Sequence, residues 1–400
     1  MQIFLQGASL PGKDYIKGVM IYADYNATAP LRPEARAAML AALDLGPTNP
    51  SSVHKAGRAA RAVVEKARGE VGAAISSRAE DIVFTSGGTE SLALAIQGAV
   101  AALDGAATLI VSAIEHDAAT KAAAHAGVPV ETAYVLPTGQ VDLDDLKARL
   151  TAWDRSLKGT PLLVLMLANN ETGILQPVQE AAALVREAGG LTVCDGVQAL
   201  GKVPVNVALL GVDYLALSAH KIGGPQGVGA LWHRAGAPLK AVQYGGGQER
   251  GLRSGTENVA GIAGFGAAVM ESVRELKQYE TLCTHRDAME TRLKAEGGVT
   301  VIGEGSPRLA GVSCFARPGF RAETQVMALD LAGVCVSAGS ACSSGKVKRS
   351  LVLMAMGADD ALAESAIRTS FGWNSRPEDF RHVADAWLNA ARRTVLKESV

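Results

Sequence analysis

The chain has 400 residues, with 39 Lys and Arg against 40 Asp and Glu, so its near-neutral charge supplies no general attraction to nucleic acid or an anionic membrane. Its longest uninterrupted apolar run, 162–168, is far short of the ~20 residues of a membrane-spanning helix. The first nineteen residues contain no apolar core of a secretory signal and read as an extension ahead of Met20, an alternative start.

From position 82 onward, short apolar runs alternate with Ala-rich helical stretches: 82–85, 109–112, 162–167, 191–195, 214–218 and 228–232. Several of these runs are apolar at every position, as strands buried between two helical layers are, so the pattern predicts an α/β fold with a parallel sheet covered by helices. A Gly-rich segment at 244–251 ends the pattern, and a long helical stretch from about 258 to 295 follows. Strand candidates at 299–302, 312–315 and 367–371 then predict a smaller C-terminal α+β domain. The expected organisation is an extension at 1–20, a large domain at 21–275 and a small domain at 276–400, to which N-terminal residues contribute.

In a parallel sheet, ligands bind beyond the carboxyl ends of the strands, and the unusual polar residues fall there. Strand 82–85 runs into Ser86-Gly87-Gly88-Thr89-Glu90, which opens a helix and offers backbone N–H groups and a hydroxyl to a phosphate. A plain capped turn has the same sequence. The next strands lead to Glu115-His116, to Asn169-Asn170-Glu171-Thr172-Gly173 and to Asp195-Gly196-Val197-Gln198. Burying so many polar groups without a ligand would cost roughly 1 to 3 kcal/mol for each one left unsatisfied. Lys221, in Ser218-Ala219-His220-Lys221-Ile222-Gly223, directly follows an apolar strand; a lone lysine is ordinarily a solvated surface group, whereas an amine in an apolar, partly cationic pocket has a lowered pKa and can form a Schiff base. Together, an Asp, such a Lys and a phosphate cup are the parts needed to hold pyridoxal phosphate.

The five cysteines, Cys194, Cys283, Cys314, Cys335 and Cys342, have neither paired nor zinc-like spacing, which points to a reducing, cytoplasmic setting and to no metal site. Four of them lie in apolar or helical runs and read as small core residues. Cys342 differs, because Ser340-Ala341-Cys342-Ser343-Ser344-Gly345 has almost nothing to pack. Lys346, Lys348 and Arg349 nearby favour a thiolate. A loop that merely carries a cysteine is the alternative.

Six motifs in order carry a family resemblance from about Ile21 to the C-terminal helix: Asp24-Tyr25-Asn26-Ala27-Thr28, Thr85-Ser86-Gly87-Gly88-Thr89-Glu90-Ser91, Asn169-Asn170-Glu171-Thr172-Gly173, Ser218-Ala219-His220-Lys221, Arg253-Ser254-Gly255-Thr256-Glu257-Asn258 and Ser340-Ala341-Cys342-Ser343-Ser344. The chain resembles cysteine desulfurases of the NifS/IscS type, fold-type I pyridoxal phosphate enzymes of the class V aminotransferase group. The resemblance implies a mostly parallel seven-stranded sheet and a homodimer. It also implies removal of sulfur from L-cysteine to give alanine and a persulfide on Cys342. By the same resemblance Lys221 is the Schiff-base lysine and proton-transfer base, Asp195 pairs with the pyridinium nitrogen, and Gln198 bonds the ring hydroxyl with Asn170 nearby. His116 lies over the ring and helps move protons. Gly88, Thr89, Ser218 and His220 hold the phosphate, with Thr256 reaching it from a second subunit. Arg368 grips the substrate carboxylate, and Asn49 lies on a substrate-side loop.

Gly88 and Gly196 stand where alanine is common in the family, and Phe371 where leucine is common. The spacing from Cys342 to Gly357 resembles the longer-loop group, which transfers sulfur directly to an acceptor or iron-sulfur scaffold protein. The ending at Val400 lacks the tail of the housekeeping members and leaves the acceptor open. The rival readings are a selenocysteine lyase or other class V enzyme, and a scaffold subunit without turnover.

Overall fold

The computed structural model describes residues 20–47, 49–339 and 349–398. Position 342, with its cysteine, lies outside the described residues. Seven strands form the main sheet: β2 (Ile82–Thr85), β3 (Ala107–Ser112), β4 (Val130–Ala133), β5 (Thr160–Met166), β6 (Leu191–Asp195), β7 (Tyr214–Ser218) and β8 (Gly229–His233), following a two-residue β1 (Ile21–Tyr22). Their spatial order is β2-β8-β7-β6-β5-β3-β4. β8 runs antiparallel to both its neighbours, and the rest of the sheet is parallel. The carboxyl ends of β2, β3, β5, β6 and β7 therefore share one edge. The edge strand β4 escapes a search for apolar runs because Val130-Glu131-Thr132-Ala133 is polar and largely open to solvent.

Strand alternation explains why the runs are apolar throughout. Leu163 and Leu165 pack with Val64, Phe84 and Phe265 on one face, while Leu162 and Val164 pack with Leu92, Leu94 and Leu231 on the other. The expected helical stretch is three helices, Val259–Arg274, Leu276–Glu280 and Leu282–Gly297. The first break places Glu275 where its carboxylate accepts from the buried Arg32 guanidinium at 2.7 Å.

A second core surrounds a four-stranded sheet of β9 (Thr300–Val301), β10 (Val312–Ala316), β12 (Ser337–Ala338) and β13 (Ala366–Ser370). Ile21 and Ala23 belong to this core, and β1 pairs in parallel with β11 (Val334–Cys335). Phe371 stacks on Phe380 with ring centroids 3.7 Å apart, an aromatic contact that leucine cannot make. No helix among the described residues is long and apolar enough to cross a membrane.

β8 presses against the turn after β2. A Cβ at Gly229 would stand 2.6 Å from Gly87 Cα and from Leu217 O, both backbone atoms. Gly229→Ala is expected to lower unfolding free energy by roughly 1–3 kcal/mol in denaturant titration, the usual result of overpacking.

Candidate active site

A cavity of about 250 Å³ lies at the shared strand edge, lined by Gly88, Thr89, His116, Asn170, Asp195, Gln198, Ser218, His220, Lys221 and Arg368. All ten were singled out from the sequence. One end meets the N-terminus of the helix Gly88–Ala102, where Gly87 provides no side-chain cap, so the helix presents open N–H groups and the positive end of its dipole. A cleft lined by Ser86, Thr89, Ser218, His220 and Gln226 continues past that end. His220 sits against Thr28, Nδ1 to Oγ1 3.2 Å, and burial with the charges of Lys221 and Lys202 pushes its pKa down to about 4. The ring is therefore neutral and offers hydrogen bonds rather than charge.

The absence of a methyl at Gly88 and Gly196 has a physical counterpart nearby. A Cβ at Gly88 would lie 2.6 Å from Val197 Cγ2, and one at Gly196 would lie 2.7 Å from Leu215 Cδ1. Neighbouring side chains occupy the space that alanines would fill.

Lys221 ends the short turn after β7. Its Nζ donates to the carbonyl oxygens of Asn26 and Ala27, both at 2.8 Å. Burial, assisted by the Arg368 charge and opposed by Asp195 and Asp24, brings its pKa down to about 8. Asp195, the last residue of β6, accepts from Val197 N–H at 2.9 Å. Burial raises its carboxyl above the usual range, against the Val197 N–H and the charges of His116 and Lys221. Glu115 is buried beside it, accepting from Met166 N–H at 2.7 Å through Oε1, while Oε2 has no partner. Burial and the Asp195 charge drive the Glu115 pKa far up, opposed by the Met166 N–H.

His116 caps the helix Asp117–Ala124, its Nδ1 accepting from Ala118 N–H at 3.1 Å. That bond leaves the ring proton on Nε2. Arg368, in β13, donates through one terminal nitrogen to Asp24 at 2.7 Å and through the other to Asn170 O at 2.9 Å. Its buried Nε–H has no partner.

Two residues named from the sequence do not reach this cavity. Asn49 lies in an exposed turn, its side chain accepting from Ser51 N–H. Thr256 lies on an exposed loop and does not line the cavity of its own chain. Asn26, Lys202 and Glu115, which join or border this site, carry no sign of a role in the sequence. The first acts partly through a backbone carbonyl, the second resembles a surface lysine in sequence, and the third is distinguished only by its burial. Gly339 and Ser337, just before the segment that carries Cys342, line the cavity.

Residues 21–383 match the aminotransferase class-V family. The chain is 40% identical over 371 residues to a cysteine desulfurase IscS of Dictyoglomus turgidum, covering 91% of this chain and 93% of that protein. This chain belongs to the class-V aminotransferase family, on its cysteine desulfurase branch. A cysteine desulfurase of Cereibacter sphaeroides is also 40% identical, over 90% of this chain and 92% of that one. The solved structure of a NifS-like protein from Rickettsia africae superposes with a TM-score of 0.85 at 31% identity, covering 93% of this chain and 99% of that chain. Members of this class-V branch are pyridoxal phosphate enzymes.

A lysine with a pKa near 8 reacts with aldehydes at neutral pH. Reductive aldehyde labelling of Lys221, read by peptide mass spectrometry, is expected to quicken about tenfold per pH unit up to about pH 8 and then level off. An ordinary lysine would keep accelerating to about pH 10.

Proposed function

We propose that this cysteine desulfurase binds pyridoxal phosphate in the 250 Å³ cavity and passes the sulfur of L-cysteine to Cys342. The observation that carries the reading is the line of complementary groups along one cavity: an open helix N-terminus, an amine of lowered pKa, a buried carboxylate and an arginine with an unpartnered N–H. The donor set fits the cofactor. Gly88 and Thr89 at the helix end, with Ser218 and neutral His220, would hold its phosphate. Asp195 would face the ring nitrogen, with Gln198 and Asn170 at the ring oxygen, and Lys221 would hold it through Nζ. When bound, pyridoxal phosphate supplies an electron sink that weakens bonds around the amino acid's α-carbon.

This chain's own groups do the rest. Arg368, oriented by Asp24 and Asn170 O, keeps Nε–H for the substrate carboxylate. Lys221, near its pKa at mildly alkaline pH, takes and returns the α-proton at Nζ. His116 presents Nε2–H to the cavity and is fixed in that tautomer by its helix cap. Cys342 follows Gly339 by three residues, a tether of about 11 Å at most, and Gly339 is part of the cavity wall. The thiolate attacks the substrate sulfur, an S–S bond forms as the C–S bond breaks, and the electron pair left on carbon takes up a proton to give alanine. Two sulfur atoms then sit on Cys342 as a persulfide, for delivery to a sulfur-acceptor or iron-sulfur scaffold protein.

We further infer a homodimer. Thr256 stands exposed and away from its own cavity, which suits a residue reaching the phosphate of a second copy.

Holoenzyme given L-cysteine is expected to yield alanine and, with a thiol reductant, sulfide in equal amounts. Cys342→Ala keeps the cofactor's visible absorbance and loses sulfide formation, whereas sulfide release at the wild-type rate in that variant contradicts the proposal. Arg368→Lys loses the guanidinium fork, so KM for cysteine is expected to rise on the order of tenfold or more.

A further inference from the structure

Lys202 is a buried amine that the mechanism above does not use. It follows Gln198 by four residues on the helical turn after β6, in which Lys202 N–H donates to Ala199 O, so the two side chains share a face. Its Nζ donates to Gln198 Oε1 at 2.7 Å and to Asn26 Oδ1 at 2.8 Å. Lys202 lies behind the catalytic cavity and lines a second chamber of about 170 Å³, with Arg32, Glu275 and Tyr279.

Both amides that meet Lys202 are pinned at each end. Gln198 Nε2 donates to Asn26 O at 2.9 Å, and Asn26 Nδ2 donates to Asn170 O at 3.0 Å. A carbonyl oxygen only accepts, so the amide nitrogens must face those carbonyls and the amide oxygens must face Lys202. Gln198 therefore turns its acceptor away from the cavity it lines, and the atom it can offer there is the second hydrogen of Nε2.

We propose that Lys202 is a positioning residue that locks the Gln198 amide with its N–H toward the cavity, making that wall a donor that recognises an anionic oxygen. The inference rests on the reading of the cavity as a pyridoxal phosphate site, where that oxygen is the ionised ring hydroxyl. Lys221 and Arg368 are the cations that face Lys202, and with burial they push its pKa well down. Without Lys202, the Gln198 oxygen loses its partner and only the Asn26 carbonyl still holds the amide, so a rotated amide that aims its acceptor at the anion becomes accessible.

The test uses the purified holoenzyme and reads two quantities other than turnover: the pH midpoint of the bound cofactor's visible absorbance, and the dissociation constant for pyridoxal phosphate. Lys202→Met is expected to raise the midpoint by about one pH unit and to weaken cofactor binding about tenfold, as loss of a hydrogen bond to a charged oxygen does. In a Gln198→Met background, the Lys202 substitution is expected to change neither quantity, because its effect passes through that amide. Lys202→Arg keeps only donors, and the second chamber has room for its extra atoms, so it is expected to retain the wild-type midpoint. An unchanged midpoint in Lys202→Met, a shift that persists in the Gln198→Met background, or a displaced midpoint in Lys202→Arg overturns the inference. Failure of the wild-type chain to take up pyridoxal phosphate overturns the underlying site reading as well, and is distinguished by occurring without any substitution.

Discussion

Two backbone carbonyls, those of Asn26 and Ala27, hold the amine of Lys221, and the site depends on the segment that carries them. Residues 24–28 cross from the second core to the edge of the main sheet. Ile21 and Ala23 are anchored in that core, Asp24 binds Arg368 and Ser337, Asn26 N–H donates to Ser370 Oγ, and Thr28 meets His220. One short stretch thus joins the arginine, the lysine, the glutamine and the cup histidine. Because both lone pairs of Asn26 O are used, by Lys221 and Gln198, small displacements of this stretch would be felt by both side chains at once.

The electrostatics of the site follow from burial acting on charges of both signs. Three cations, Lys202, Lys221 and Arg368, lie close together, and their mutual repulsion adds to desolvation in lowering the two amines. Two carboxyls, Glu115 and Asp195, are buried side by side, and burial raises both above the usual carboxyl range. At Glu115 burial and the neighbouring Asp195 charge raise the pKa, opposed only by the Met166 N–H. At Asp195, which stands at the end of β6 where the cavity opens, the Val197 N–H and Lys221 oppose the same rise.

Much of this arrangement was legible in the sequence because parallel strands end along one edge. Polar residues that follow successive apolar runs must then converge, and His116, Asn170, Asp195, Ser218 and Lys221 do so. What escaped reading lacks a one-dimensional signature. A carbonyl such as Asn26 O belongs to every residue type, so its use leaves no mark. Lys202 is spelled like any surface lysine, and only packing against Asn26, far away in the chain, makes it a buried hub. The strand β4 is polar because it lies at an edge, and the break at Glu275 reflects a pairing with Arg32 across the fold. Gly88 and Gly196 read as departures from the family pattern, and their reason resides in Val197 and Leu215.

Two buried lysines of lowered pKa lie within one hydrogen-bonded cluster, and the roles proposed for them differ: Lys221 to carry the cofactor and Lys202 to orient an amide. Borohydride reduction of the pyridoxal phosphate holoenzyme, followed by peptide mapping, separates them directly. A phosphopyridoxyl group is expected on Lys221 and none on Lys202; label on Lys202, or on neither lysine, would contradict these roles.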